Sequence, residues 1–213
     1  VFEQEIAARF MLESAGVFRG IDACIKKGLV DRSGRPLNET PQGGQRYVVG
    51  VDLARKRDYT VITVIDTLRK HVVYHERFNS MAWAVQKARI VEVSHNYNRA
   101  RVVMDATGVG DPIVEDVKAS GVPVDCFIFT NKSKQELIER LRTDIEQTRV
   151  TFPQIPILIR ELRAYEYDIS SSGNIKYNAP PGGHDDCVIS LALAVHGLSK
   201  RPFVNRFSQV RGF

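Results

Sequence analysis

Three places in the sequence carry carboxylates where packing favours apolar side chains. Asp52 interrupts the run YVVGVDLA (47–54), whose Val49, Val51 and Leu53 favour burial. Asp105 does the same in RVVMDATGVGD (101–111). Asp185 and Asp186 stand together at the head of HDDCVISLALAVHGLSK (184–200), the most apolar helical segment of the chain. A buried, unpaired carboxylate costs several kcal/mol, so each must be neutralised, paired or bound to a cation. Brought to one point, such groups repel strongly. Mg2+ or Mn2+ relieves that repulsion, because hard divalent ions take oxygen ligands and keep open water positions. No His/Cys cluster suggests zinc instead.

Structural readings stand beside the chemical one. Asp52 could cap a turn, Asp105 could form an Asx-turn before TGVG, and one of Asp185 and Asp186 could be the N-cap of the last helix. Asp58 is a candidate outer metal or water ligand, or a surface partner of its Arg neighbours. His184 is a candidate accessory group, placed to orient a carboxylate or leaving group, or a plain turn residue. Gly108 and Gly110 match neither GxGxxG nor a Walker A loop, so TGVGD reads as a tight strand-to-helix turn.

The elements that must position these groups follow from periodicity. YVVGVDLA (47–54), YTVITVIDT (59–67) and HVVYHERF (71–78) are short β-branched runs joined by short connections, hence antiparallel strands. MAWAVQKARIVEVSHNYN (81–98) reads as a helix, RVVMDAT (101–107) as a buried strand, GDPIVEDVKASG (110–121) as a helix and VPVDCFIF (122–129) as a strand. Helices are expected over 133–147, 155–166 and 184–200, and a hairpin around SSGN over 167–180, which with Gly182 and Gly183 is a candidate gate. Three antiparallel strands followed by right-handed parallel crossovers give an α/β fold: a mixed five-stranded sheet with helices on both faces. That topology sets the first and fourth strands side by side, with Asp52 and Asp105 at matching levels ~4.8 Å apart.

The 213 residues suit one large domain with arms. The expected division is an N-terminal helical arm and linker (1–46), a main domain (47–200) and a basic, aromatic tail (201–213) with Arg201, Arg206 and Arg211. The chain opens inside a helical pattern, as a fragment of a longer protein would. No apolar run reaches the ~20 residues of a membrane span. Cys24, Cys126 and Cys187 make no CxxC and are expected to be buried free thiols. The net charge of +5 points weakly to a polyanionic partner.

GVDLARKRDYTV, VVMDATGVGDP and GGHDDCVISLALA, in this order, resemble the C-terminal nuclease domain of the large terminase subunit of tailed bacteriophages, a member of the RNase H/RuvC-like superfamily. The resemblance spans residues ~47–199 as one domain. It implies a metal-dependent endonuclease that cuts double-stranded, concatemeric viral DNA during genome packaging in the host cytoplasm. Asp52, Asp105 and Asp185 or Asp186 match the family's metal-binding carboxylates. Two Mg2+ or Mn2+ ions and phosphodiester hydrolysis of low sequence specificity are implied. Arg55, Lys56, Arg57, Lys132, Lys134 and Lys176 are the candidate DNA contacts, or solvated charges. An ATPase domain of the same parent chain, the portal and the small terminase subunit are the implied partners. With no Walker A motif, the chain is expected not to hydrolyse ATP. Alternatives within the fold are a RuvC-like Holliday-junction resolvase or an RNase H-type nuclease. An alternative of another class is a non-catalytic DNA-binding module.

Overall fold

A computed structural model describes residues 16–28, 30–31, 38–53, 59–107, 112–169 and 175–199. Its centre is a sheet of β1 (Tyr47–Asp52), β2 (Thr60–Asp66), β3 (His71–Phe78), β4 (Arg101–Asp105) and β5 (Val124–Phe127), in the order β3-β2-β1-β4-β5. β1–β2 and β2–β3 pair antiparallel, whereas β1–β4 and β4–β5 pair parallel. This is the mixed sheet the sequence predicts. The helices are α1 (Ile21–Cys24), α2 (Trp83–Asn96), α3 (Pro112–Ala119), α4 (Asn131–Glu146), α5 (Pro156–Ala164) and α6 (Asp186–Leu198). β6 (Glu166–Ile169) and β7 (Ile175–Asn178) form a separate hairpin, whose SSGN turn lies outside the described residues.

Alternation along the strands divides the interior into two cores. Val49 and Val51 of β1, with Val102 and Met104 of β4, face a core shared with Ile90, Val93, Val114 and Val117 of α2 and α3. Val48 of β1 and Val103 of β4 face the opposite core, which holds α4, α5 and α6. By the same two-residue period, Asp52 and Asp105 belong to the α6 side.

α6 is apolar nearly all round because the sheet covers one side of it and α4 and α5 cover others. It lies very close to the sheet. A Cβ added to Gly50 would collide with Ser190 O and Ala194 N, and one on Gly197 would collide with Val48 Cγ1. Ser190 Oγ donates to Gly50 O at 3.0 Å and lies 2.8 Å from Thr63 Oγ1. This close seat fixes the start of α6 over the end of β1.

α4 begins two residues earlier than its sequence pattern suggests. Thr130 and Ser133 form a reciprocal capping box, with Ser133 N donating to Thr130 Oγ1 at 3.0 Å and Thr130 N donating to Ser133 Oγ at 2.7 Å. Residues 16–28, expected within an N-terminal arm, pack on the α6-side core. Val17, Phe18, Ile21 and Cys24 are buried there, and Val17 N donates to Tyr165 O at 3.1 Å. Cys24 and Cys187 are buried free thiols as expected, whereas Cys126 is exposed.

Candidate metal centre

Asp52 ends β1 and Asp105 ends β4. The parallel register pairs Val51 with Met104, so the two aspartates occupy the next level on neighbouring strands. α6 enters over the same edge and brings Asp185 and Asp186. Asp52, Asp105, Asp185 and Asp186 all line one cavity of about 370 Å³, together with Leu53, Phe129, Lys134, His184 and Ile189. Residues far apart in the chain therefore converge as the sequence predicts.

Neither aspartate of the pair caps α6. Asp185 occupies the N-cap position but makes no side-chain capping bond. Its Oδ2 instead accepts from Lys134 Nζ at 3.2 Å and, more weakly, from the Tyr165 hydroxyl at 3.4 Å. Asp186 is buried, and its Oδ2 lies 3.6 Å from His184 Nδ1 and 3.7 Å from Arg77 Nη2. Asp105 does form the Asx-turn, accepting from Thr107 N at 2.8 Å and from the Thr107 hydroxyl. Thr107 Oγ1 in turn accepts from Phe129 N at 2.9 Å, tying the ends of β4 and β5 together. The turn and the site are one device: the local bonds aim the carboxylate.

The electrostatics mark the cluster. Burial, and then the charges of Asp186, Asp185 and Asp105, push the Asp52 carboxyl well above the ordinary carboxylate range, against a smaller opposing pull from Lys134. Burial and the Asp185 carboxylate likewise hold the Tyr165 hydroxyl protonated. Among the described residues, no group of three or more acidic, His or Cys side chains is arranged to hold a metal ion as it stands. Asp185 is turned toward Lys134 and Asp186 toward Arg77 and His184. The four carboxylates offer oxygen donors, the kind a hard divalent cation takes.

Of the other expected contacts, Lys134 reaches the cavity. Lys132 is 87% exposed and lies 3.9 Å from Glu136, and Lys176 is exposed on β7; neither lines the cavity. Arg55, Lys56, Arg57 and Asp58 lie outside the described residues, as do Gly108, Gly110 and the tail arginines. Sequence reasoning missed Tyr165, Arg77 and Glu161. Glu161 is 5% exposed, and its Oε2 accepts from Cys187 N at 2.8 Å in the first turn of α6. A carboxylate and a cation at core-facing positions of a strand and a helix were the available signal.

A sheet of this order, with carboxylates at the ends of its first and fourth strands, defines an RNase H-like protein. Within that class the chain belongs to the family described as the terminase RNaseH-like domain, whose model matches residues 49–198. It is 36% identical over 194 residues to the large terminase subunit of Thermus virus P23-45, covering 91% of this chain and 40% of that relative. The chain thus spans well under half the length of the curated relatives it matches. It is also similar to the large terminase nuclease from thermophilic phage G20c solved with bound magnesium, with a TM-score of 0.78 and 34% identity over 85% of this chain and 96% of the other. The same nuclease with bound cobalt gives a TM-score of 0.77. The HK97 bacteriophage large terminase, 14% identical with a TM-score of 0.64 over 86% of this chain and 43% of the other, shares the fold.

Proposed function

We propose that this chain is a divalent-metal-dependent endonuclease, the nuclease domain of a packaging terminase, acting on double-stranded concatemeric DNA in the host cytoplasm. In this reading residues 47–200 form the nuclease domain, 1–46 the connection to an ATPase domain, and 201–213 a basic tail. The observation that carries the reading is the convergence of Asp52, Asp105, Asp185 and Asp186 on one cavity at the ends of β1 and β4; burial and the neighbouring aspartates also push the Asp52 carboxyl up. A bound cation favours the ionised form of such carboxylates. The similar nuclease from phage G20c has been solved with bound magnesium, cobalt and zinc, which supports a divalent ion here.

Asp52, Asp105 and an aspartate of the Asp185–Asp186 pair would hold two such ions, with Asp58 a candidate outer ligand. When bound, Mg2+ or Mn2+ would supply Lewis acidity at the scissile phosphate. The chain's own residues do the rest. Lys134, beside Asp185, offers a cation to a backbone phosphate. Arg55, Lys56, Arg57, Lys132 and Lys176 are the further proposed phosphate contacts, and such contacts carry little sequence preference. Leu53, Phe129 and Ile189 give the cavity an apolar wall that limits water. His184, stacked edge-on against Tyr59 at 5.3 Å, is placed to orient Asp186. The portal and the small terminase subunit are the proposed protein partners.

Plasmid cleavage tests the reading. Supercoiled DNA should become nicked and linear with Mg2+ or Mn2+ and stay intact in EDTA. Cutting in EDTA would refute it, and binding without cutting would favour a non-catalytic module. A strong preference for four-way junctions or RNA/DNA hybrids would favour a resolvase or RNase H-type activity.

A further inference from the structure

A buried charge arrangement from three elements meets Asp186. Arg77 comes from β3, Glu161 from α5 and Asp186 from the first turn of α6. Arg77 Nη2 lies 3.7 Å from Asp186 Oδ2 and 3.7 Å from Glu161 Oε1. The guanidinium carbon of Arg77 lies 3.3 Å from the centre of the Tyr59 ring, so its planar face is stacked and its direction fixed. Glu161 is fastened independently through Cys187 N at 2.8 Å, the residue after Asp186. The side chains of Arg77, Glu161 and Asp186 are 16%, 5% and 9% exposed. Arg77 Nε and Glu161 Oε1 are buried without a hydrogen-bond partner among the described residues.

An Arg–carboxylate pair built only for stability closes into a short bidentate fork. Here one cation is shared between two carboxylates at distances too long for hydrogen bonds. The Arg77 contacts are therefore charge compensation rather than a bidentate fork.

We propose that Arg77 and Glu161 are positioning residues that together set the charge felt at Asp186 and thereby the affinity of the site for divalent cations; this rests on the nuclease reading. Arg77 lowers the negative potential at the aspartates, and Glu161 takes up part of that charge. Without Glu161, Arg77 would act on Asp186 alone and divalent ions would bind more weakly. Without Arg77, the aspartates would be less relieved and the ions would bind more tightly. The two partners of one ion pair therefore act in opposite directions, which a purely structural pair would not.

Titration calorimetry of Mn2+ into the metal-stripped full chain measures this, at about pH 8, above the ordinary Glu range. Arg77→Met should bind Mn2+ roughly tenfold more tightly and Glu161→Gln roughly tenfold more weakly than wild type. Arg77→Met/Glu161→Gln should return to within about threefold of wild type, and Arg77→Lys, which keeps the charge, should stay within about twofold. Thermal melts should fall for both single variants, so lost stability alone is no support. Affinities that move in the same direction, or stay unmoved, overturn the proposal. If Arg77→Met does not fold, unchanged affinity in Glu161→Gln does so. Wild-type protein that binds no Mn2+ overturns the nuclease reading instead.

Discussion

The two ends of the central sheet carry opposite charge and handle it differently. At the far ends of β1 and β4, Asp52 and Asp105 meet Asp185 and Asp186, and burial, then the charges of the neighbouring aspartates, drives the Asp52 carboxyl up. At the other end a larger cavity, about 740 Å³, is lined by Arg46, Arg99, Arg101 and Lys118. There the charges are answered locally. Arg101 pairs with Asp125 at 3.3 Å and donates to Gly197 O at 2.5 Å, Arg99 donates to Gly121 O at 2.8 Å, and Lys118 pairs with Glu115 at 3.0 Å. Size does not identify the chemistry; the convergence of carboxylates does.

Four substitutions test the contrast. Asp52→Asn should lower plasmid cutting with Mn2+ by about a thousandfold or more, on the order of 4 kcal/mol of barrier, while circular dichroism shows an intact fold. Cutting near the wild-type rate would remove Asp52 from the site. Gly50→Val forces a side chain into the seat of α6 and should cost about 3 kcal/mol in chemical denaturation. It should also weaken Mn2+ binding, because Asp185 and Asp186 ride on that helix; a silent variant would mean the close seat is slack. Arg101→Met should cost about 1–2 kcal/mol of stability yet leave Mn2+ affinity unchanged, since its partners are at the opposite end. A change in Mn2+ binding would show that the two ends communicate. Lys134→Met should have the smallest effect, lowering by about 1 the slope of log DNA affinity against log salt. An unchanged slope would leave Lys134 as the partner of Asp185 alone.

Much of this was legible in the sequence because it rests on local period. HVVYHERF (71–78) matches β3 residue for residue, and the runs around Asp52 and Asp105 end as strands at those aspartates. Their convergence followed from topology, since parallel crossovers put the first and fourth strands side by side. What stayed hidden depends on contacts between distant segments. HERF reads as a charged strand end, and nothing in its spacing says that Arg77 meets α5 and α6. Glu161 sits in an amphipathic pattern, and only the docking of α6 reveals that it accepts a backbone N–H there. The packing of residues 16–28 was masked by a polar, Gly-rich context, because Val17, Phe18 and Ile21 are buried by other elements rather than by their own periodicity.

The flush fit of α6 against Gly50 also sets when the four aspartates can meet during synthesis. During synthesis the strand ends at Asp52 and Asp105 emerge long before Asp185 and Asp186, and a site built from all of them is incomplete until α6 leaves the ribosome and seats. On the proposed nuclease reading, a chain that stalls or is trimmed ahead of that helix would lack a complete site, so the order of translation itself would act as a safety catch.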